Sequence, residues 1–184
     1  QRCREANFRM IIQPCDVNSP GLIDDIGALI DQAQLDGIIM TPPVTDVGTA
    51  LAELFRRKIP VVRVQPGTDL TATSAVYIDN VQAADDMTAY LISLGHRRIA
   101  YIAGDPVHQD ALDRQAGYKV ALKQAGVAFD PALVVQGDYT EAAGLLAANR
   151  LLDSGQPFTA IFAANDQMAC GAALGLHRRS LLPR

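Results

Sequence analysis

The most constraining feature of this chain is an alternation. Short apolar runs trade places with amphipathic segments of roughly 10 to 15 residues, each pair punctuated by Gly, Pro, Asn or Asp. The runs predicted as strands are Phe8–Ile12, Ile38–Met40, Pro60–Val64, a short one in Val76–Asn80, Ile99–Ala103, Leu133–Gln136 and Thr159–Ala163. Between them the 3.6-residue period predicts helices from Pro20 to Ala33, Val47 to Arg57, Asn80 to Leu94, Leu112 to Ala125, Glu141 to Ser154 and Gln167 to Leu176. Ser19, Asp46 and Asp79-Asn80 read as caps, and Gly95 as a left-handed stop. On the helix before Gly95 the apolar face is expected at Ala83, Met87, Tyr90, Leu91 and Leu94. Strands separated by helices of this length must run parallel, because parallel neighbours need a crossover. The expected class is α/β, with parallel sheets covered by helices on both faces. A polar interval from Gln65 to Ala75 splits the alternation, so two lobes are expected, 1–80 and 81–184, of the kind that can close around a small ligand.

With 184 residues, 49% hydrophobic and 20% charged, the chain can bury a substantial core. Its net charge of -4 argues against this stretch alone coating a phosphate backbone. Cys3, Cys15 and Cys170 are odd in number and widely spaced, which suggests neither a disulfide framework nor a zinc knuckle and favours a reducing, cytoplasmic setting. No run approaches a membrane span, and no basic-then-apolar leader opens the chain. Gln1 at the start and the tail LGLHRRSLLPR, which stops just after a helix, both read as cut edges: the first strand and a return segment are expected beyond them.

Polar groups recur where a strand hands over to a helix, the edge at which open parallel sheets gather ligands. Arg114 offers a planar fork of donors suited to hydroxyls or a carboxylate, or a salt bridge to Asp110 or Asp113. Tyr139 offers a flat ring for stacking. Asn165 supplies both a donor and an acceptor, and Asp166 reads as the cap of the next helix. His108 and Asp110 lie in the loop after Gly104, and Thr41 and Gln65 occupy the corresponding strand ends of the first lobe. His96, before its strand, is expected to make a structural turn contact; Arg97 and Arg98 read as a solvated turn. Glycine-rich dinucleotide turns, a Walker lysine, a G-x-S-x-G elbow and an H-x-x-x-H pair are missing from the sequence, so it points away from an enzyme and toward no cofactor and no metal.

Four ordered motifs carry a family resemblance: V-Y-I-D-N from Val76, G-H-R-R-I-A-Y-I-A-G from Gly95, R-x-x-G-Y-x-x-A-L from Arg114 and N-D-Q-M-A-x-G-A from Asn165. Together they resemble the effector-binding domain of the LacI/GalR family of bacterial transcription repressors. The resemblance implies a two-lobed fold like that of periplasmic sugar-binding proteins, a homodimer, and a helix-turn-helix headpiece ahead of residue 1 that carries operator DNA binding. It also implies that Arg114, Asn165 and Tyr139 hold the effector in an interlobe cleft, with His108, Asp110, Thr41 and Gln65 as further contacts. The expected effector is a sugar or glycoside, with a nucleoside or purine second. The alternative is an exported periplasmic sugar-binding protein of a transport system.

Overall fold

The computed structural model describes residues 2–181, so the expectations attached to Gln1 and to 182–184 lie outside the described residues. The chain forms two units, Gln1–Tyr77 and Ile78–Arg184, each with its own sheet and core.

In the first unit a short helix α1 (Arg2–Glu5) is followed by α2 (Leu22–Ala33), β1 (Ile38–Met40), α3 (Gly48–Arg56), β2 (Val61–Val64) and β3 (Ser74–Val76). The strands pair in parallel in the order β1-β2-β3, with Met40 opposite Arg63 and Val64 opposite Val76. Leu22, Ile26 and Ile30 of α2 pack with Met40 of β1 and with Ala50 and Leu54 of α3. Their spacing of four puts them on one stripe of each helix.

Three expectations fail here for physical reasons. Phe8–Ile12 forms no regular element and joins no ladder, and Phe8, Met10, Ile11 and Ile12 are exposed. Strand propensity without a neighbouring strand to bond does not make a strand. Pro20 and Ser19 do not open α2 as helix and cap: the helix begins at Leu22, and the Ser19 hydroxyl accepts from the Gly21 N–H in a local turn. Asp46 does not cap α3 either; it ends a 3-10 turn (Val44–Asp46) and its carboxylate accepts from the backbone N–H groups of Gly67 and Thr68.

The second unit holds α4 (Asn80–Ser93), β4 (Ile99–Ala103), α5 (Gln109–Gln124), β5 (Val134–Gln136), α6 (Glu141–Asp153), β6 (Ala160–Ala163) and α7 (Asp166–Arg178). Its strands are parallel in the order β5-β4-β6, so β4 is central and every one of its residues is buried. Tyr101 of β4 stacks on Tyr118 of α5. Its neighbour Ile102 points the opposite way, as successive strand residues must, and together with Met168 of α7 closes around Gly137. Helices thus cover both faces. Of the short strand expected in Val76–Asn80 only Val76 belongs to a ladder; Asp79 caps α4 by accepting from the Gln82 N–H at 2.9 Å. Gly95 ends the following turn at φ 97°, a left-handed value that glycine adopts without strain.

The face that α4 buries is not the one its apolar pattern announces. Asn80, Ala84 and Thr88 are buried, with Leu91 packed against the core, while Met87, Tyr90 and Leu94 are exposed. The reason is close approach. Gly117 of α5 sits so near α4 that a Cβ there would overlap the Val81 carbonyl and touch Ala84, and only small side chains fit such a seam.

The turn before β4 is solvated at Arg97, which is exposed, yet both of its arginines also make hydrogen bonds. His96 Nδ1 lies 2.9 Å from Thr159 Oγ1, the anticipated turn contact, but Arg97 donates to the Ile92 carbonyl at 2.8 Å. Arg98 pairs with Asp130 at 3.1 Å and donates to the Pro157 carbonyl. Arginine forks thereby supply donors to backbone carbonyls on both sides of the turn.

Candidate functional site

In a parallel sheet all strands end on the same edge, so α5, α6 and α7 start together at the carboxyl edge of β4, β5 and β6. The start of α4 lies there as well, because α4 runs back toward the amino end of β4.

Arg114 stands in the second turn of α5, four residues after Asp110 in the first. Its Nε donates to Asn80 Oδ1 at 2.9 Å, its Nη1 to the Ala164 carbonyl at 2.6 Å, and its Nη2 meets Asp110 Oδ2 at 3.1 Å. One guanidinium thereby ties together the start of α4, the start of α5 and the end of β6. The other Asp110 oxygen accepts from the Tyr139 hydroxyl at 3.3 Å. Burial pushes the Tyr139 phenol up to about 12, with the Asp110 charge acting in the same direction and Arg114 against it, so at neutral pH the ring presents a donor.

Tyr139 is held from three sides. The hydroxyl-bearing edge of its ring lies against Gly104, where a Cβ would overlap it, and the ring tilts against His108 with centroids 5.7 Å apart. Its carbonyl accepts from Asn165 Nδ2 at 2.9 Å. Its backbone sits at φ 70°, a left-handed value uncommon for a bulky residue and held in place by the contacts around it. Asn165, not Asp166, is the side-chain cap of α7, accepting from the Met168 N–H at 3.0 Å. That corrects the role read for Asp166, which is the helix's first residue. His108 precedes α5 without capping it.

Arg114, Asp110, Tyr139, His108 and Asn165 are therefore brought together on one edge of the second unit. Thr41 and Gln65 belong to the first unit, directly after β1 and β2 on the carboxyl edge of its sheet. Gln65 has φ 49° and its N–H bonds the Val76 carbonyl at 2.7 Å.

Several residues organise these edges in roles that were not read from the sequence. Asn80 is 2% exposed; its Oδ1 receives Arg114 while its Nδ2 has no hydrogen-bond partner among the described residues. Of the Asp79-Asn80 pair read as a cap, only Asp79 caps α4; Asn80 is the helix's first residue and its side chain serves Arg114 instead. Gln136 ends β5 and its Nε2 donates to the Gly137 carbonyl at 2.8 Å and to the Gly104 carbonyl, stitching two loops together. Arg63, 1% exposed on β2, donates to Thr73 Oγ1, to the Thr68 carbonyl at 3.0 Å and to the Asp69 carbonyl, with Asp46 at 3.6 Å. A lone arginine in V-V-R-V could have signalled a buried group in need of partners.

A family model for periplasmic binding proteins and the sugar binding domain of the LacI family matches residues 23–182. The chain belongs to this family. The regulator DegA of Bacillus subtilis is similar at 33% identity over 174 residues, covering 94% of this chain and 51% of DegA. Among solved structures, the Escherichia coli repressor AscG superposes with a TM-score of 0.82 at 27% identity, over 98% of this chain and 66% of AscG. The regulator CelR in complex with cellobiose gives 0.81 at 30% identity, over 96% of this chain and 54% of that one. The chain spans about half the length of the curated relatives it matches. The LacI-family match makes it a ligand-binding domain of the transcriptional-regulator type, and these relatives are named as regulators, not as transport proteins or enzymes. Among the described residues no helix is long and apolar enough to cross a membrane, and no group of three or more His, Cys, Asp or Glu is placed to hold a metal.

Proposed function

We propose that this chain is the sensing part of a cytoplasmic, homodimeric LacI-type regulator that binds a small polar effector and couples it to operator DNA through a headpiece outside this sequence. Arg114, Tyr139 and Asn165 grip the effector, with His108 and Asp110 beside them and Thr41 and Gln65 contributing from the first unit. The observation that carries the reading is the convergence of Arg114, Asp110, Tyr139, His108 and Asn165 on the carboxyl edge of one parallel sheet. A sugar or glycoside is favoured because a ring for stacking stands beside donors and acceptors, the combination that takes a sugar's apolar face and its hydroxyls. The similar CelR structure is a complex with cellobiose. Nucleosides are the second class, since their bases also stack.

Regulation then requires the effector to favour one arrangement of the protein over another; a coupling of about 1 to 3 kcal/mol changes operator affinity roughly 5- to 150-fold. The test is a thermal-shift screen with cellobiose, other neutral sugars and nucleosides, followed by calorimetry on Arg114→Ala. A ligand that binds only the native state raises the melting temperature. Binding should fall by at least about 100-fold in the variant while its far-UV circular dichroism is retained, a charged hydrogen-bond set being at stake. Tight binding that survives the substitution would reject this pocket.

A further inference from the structure

Arg114 is the only Lys or Arg in the segments 78–84, 103–114, 136–144 and 163–169 that build this edge. Around it the same segments bring Asp79, Asp105, Asp110, Asp113, Asp138, Glu141 and Asp166. The three helices that follow β4, β5 and β6 begin here beside the start of α4, and their N-terminal dipoles together with a guanidinium would attract an anion. Each of those helices carries a carboxylate in its first turn: Asp110 in α5, Glu141 in α6 and Asp166 in α7. Asp110 goes further, because it lies on the guanidinium itself, and its second oxygen is covered by the Tyr139 hydroxyl.

We infer that Asp110 is a charge filter: its carboxylate occupies the face of Arg114 that an anionic ligand would need, so the pocket takes neutral polyhydroxyl compounds and refuses their phosphorylated or carboxylated counterparts. The inference rests on the reading of Arg114 as an effector contact and narrows the class of effector. An incoming phosphate must displace Asp110 and then sit beside a displaced like charge. A sugar hydroxyl meets no such conflict, since it accepts from Arg114 with its lone pairs and donates its proton to Asp110. The Asn80 amide adds a buried donor, still unpartnered, next to the oxygen that Arg114 uses, and so serves a neutral ligand's oxygen without adding charge.

The experiment titrates inorganic phosphate, as the anionic probe, into the wild type, Asp110→Asn and Asp110→Ser, and into Asp110→Asn combined with Arg114→Gln, by calorimetry at low ionic strength. Circular dichroism checks each fold, and the serine variant serves if the asparagine variant does not fold. Removing the carboxylate should tighten phosphate binding by at least about tenfold over wild type, the gain disappearing when Arg114 is also replaced. Equal phosphate binding in the wild type and the Asp110 variants, or a gain that survives Arg114→Gln, would overturn the filter. A gain that needs Arg114, combined with neutral-ligand binding that ignores Arg114→Ala, would instead overturn the effector assignment while leaving the charge screening in place.

Discussion

Arg114 and Arg63 show how one residue type is used at two edges. Arg114 is partly exposed and gathers groups from three elements, whereas Arg63 is sealed in the first unit and fastens the segment after β2, holding Thr68, Asp69 and Thr73 to the strand. A buried guanidinium is tolerated only when its donors are satisfied, and removing it strands the acceptors it served. Arg63→Met is therefore expected to cost about 3 kcal/mol, toward the low end for breaking a buried pair because Asp46 is partly solvated. Urea unfolding measures this, and a loss below about 1 kcal/mol would mean that the acceptors find other partners.

At the scale of elements, helix contacts depend on side-chain size more than on helix propensity. Gly171 of α7 lies against α6, where a Cβ would overlap the Glu141 carbonyl and approach the Leu145 N–H. Alanine is the better helix former by about 1 kcal/mol, yet Gly171→Ala is expected to destabilise by about 1 to 3 kcal/mol because backbone would have to move. Gly48, at the start of α3, has open space where its Cβ would be, so Gly48→Ala is expected to stabilise by about 0.5 kcal/mol. Thermal melts of the two variants should shift in opposite directions. On the same α3, Glu53 is held at about 2, well below its ordinary 4.5, by hydrogen bonds from Arg56 and then Arg57. A carboxyl whose folded value is depressed favours the fold when ionised. Its contribution is fully present above about pH 4.5 and is lost as pH falls toward 2. The stability difference between the wild type and Glu53→Gln should shrink over that window, and a difference independent of pH would contradict it.

For the molecule as a whole, two separate cores imply two sets of local stabilities. Leu151 is buried in the core of the second unit and Leu54 in that of the first. Leu151→Ala should remove about 2 to 4 kcal/mol, or roughly 30- to 900-fold in amide protection, from β4, and leave β2 protected as before. Loss of protection in both sheets would show that the two cores unfold as one. What the sequence determined by itself is what local spacing encodes. Period and punctuation give Ile99–Ala103 as a strand to the residue, place α2 and α6 within a residue or two, and set the polar residues Arg114, Tyr139 and Asn165 after strand ends. Tertiary structure decided what depends on a neighbour. Phe8–Ile12 has strand-forming residues, but a ladder needs a partner backbone. The large apolar residues of α4 face outward because Gly117, more than 20 positions away, lets another helix come too close for them. Asn165 became the cap and Asp166 did not, since which of two adjacent side chains reaches the Met168 N–H turns on the dihedral angles at the end of β6. Asn80, Arg63 and Gln136 gained their roles in the same way. A hydrogen bond is a short-range, directional contact, and the fold alone sets which distant atoms come within its reach.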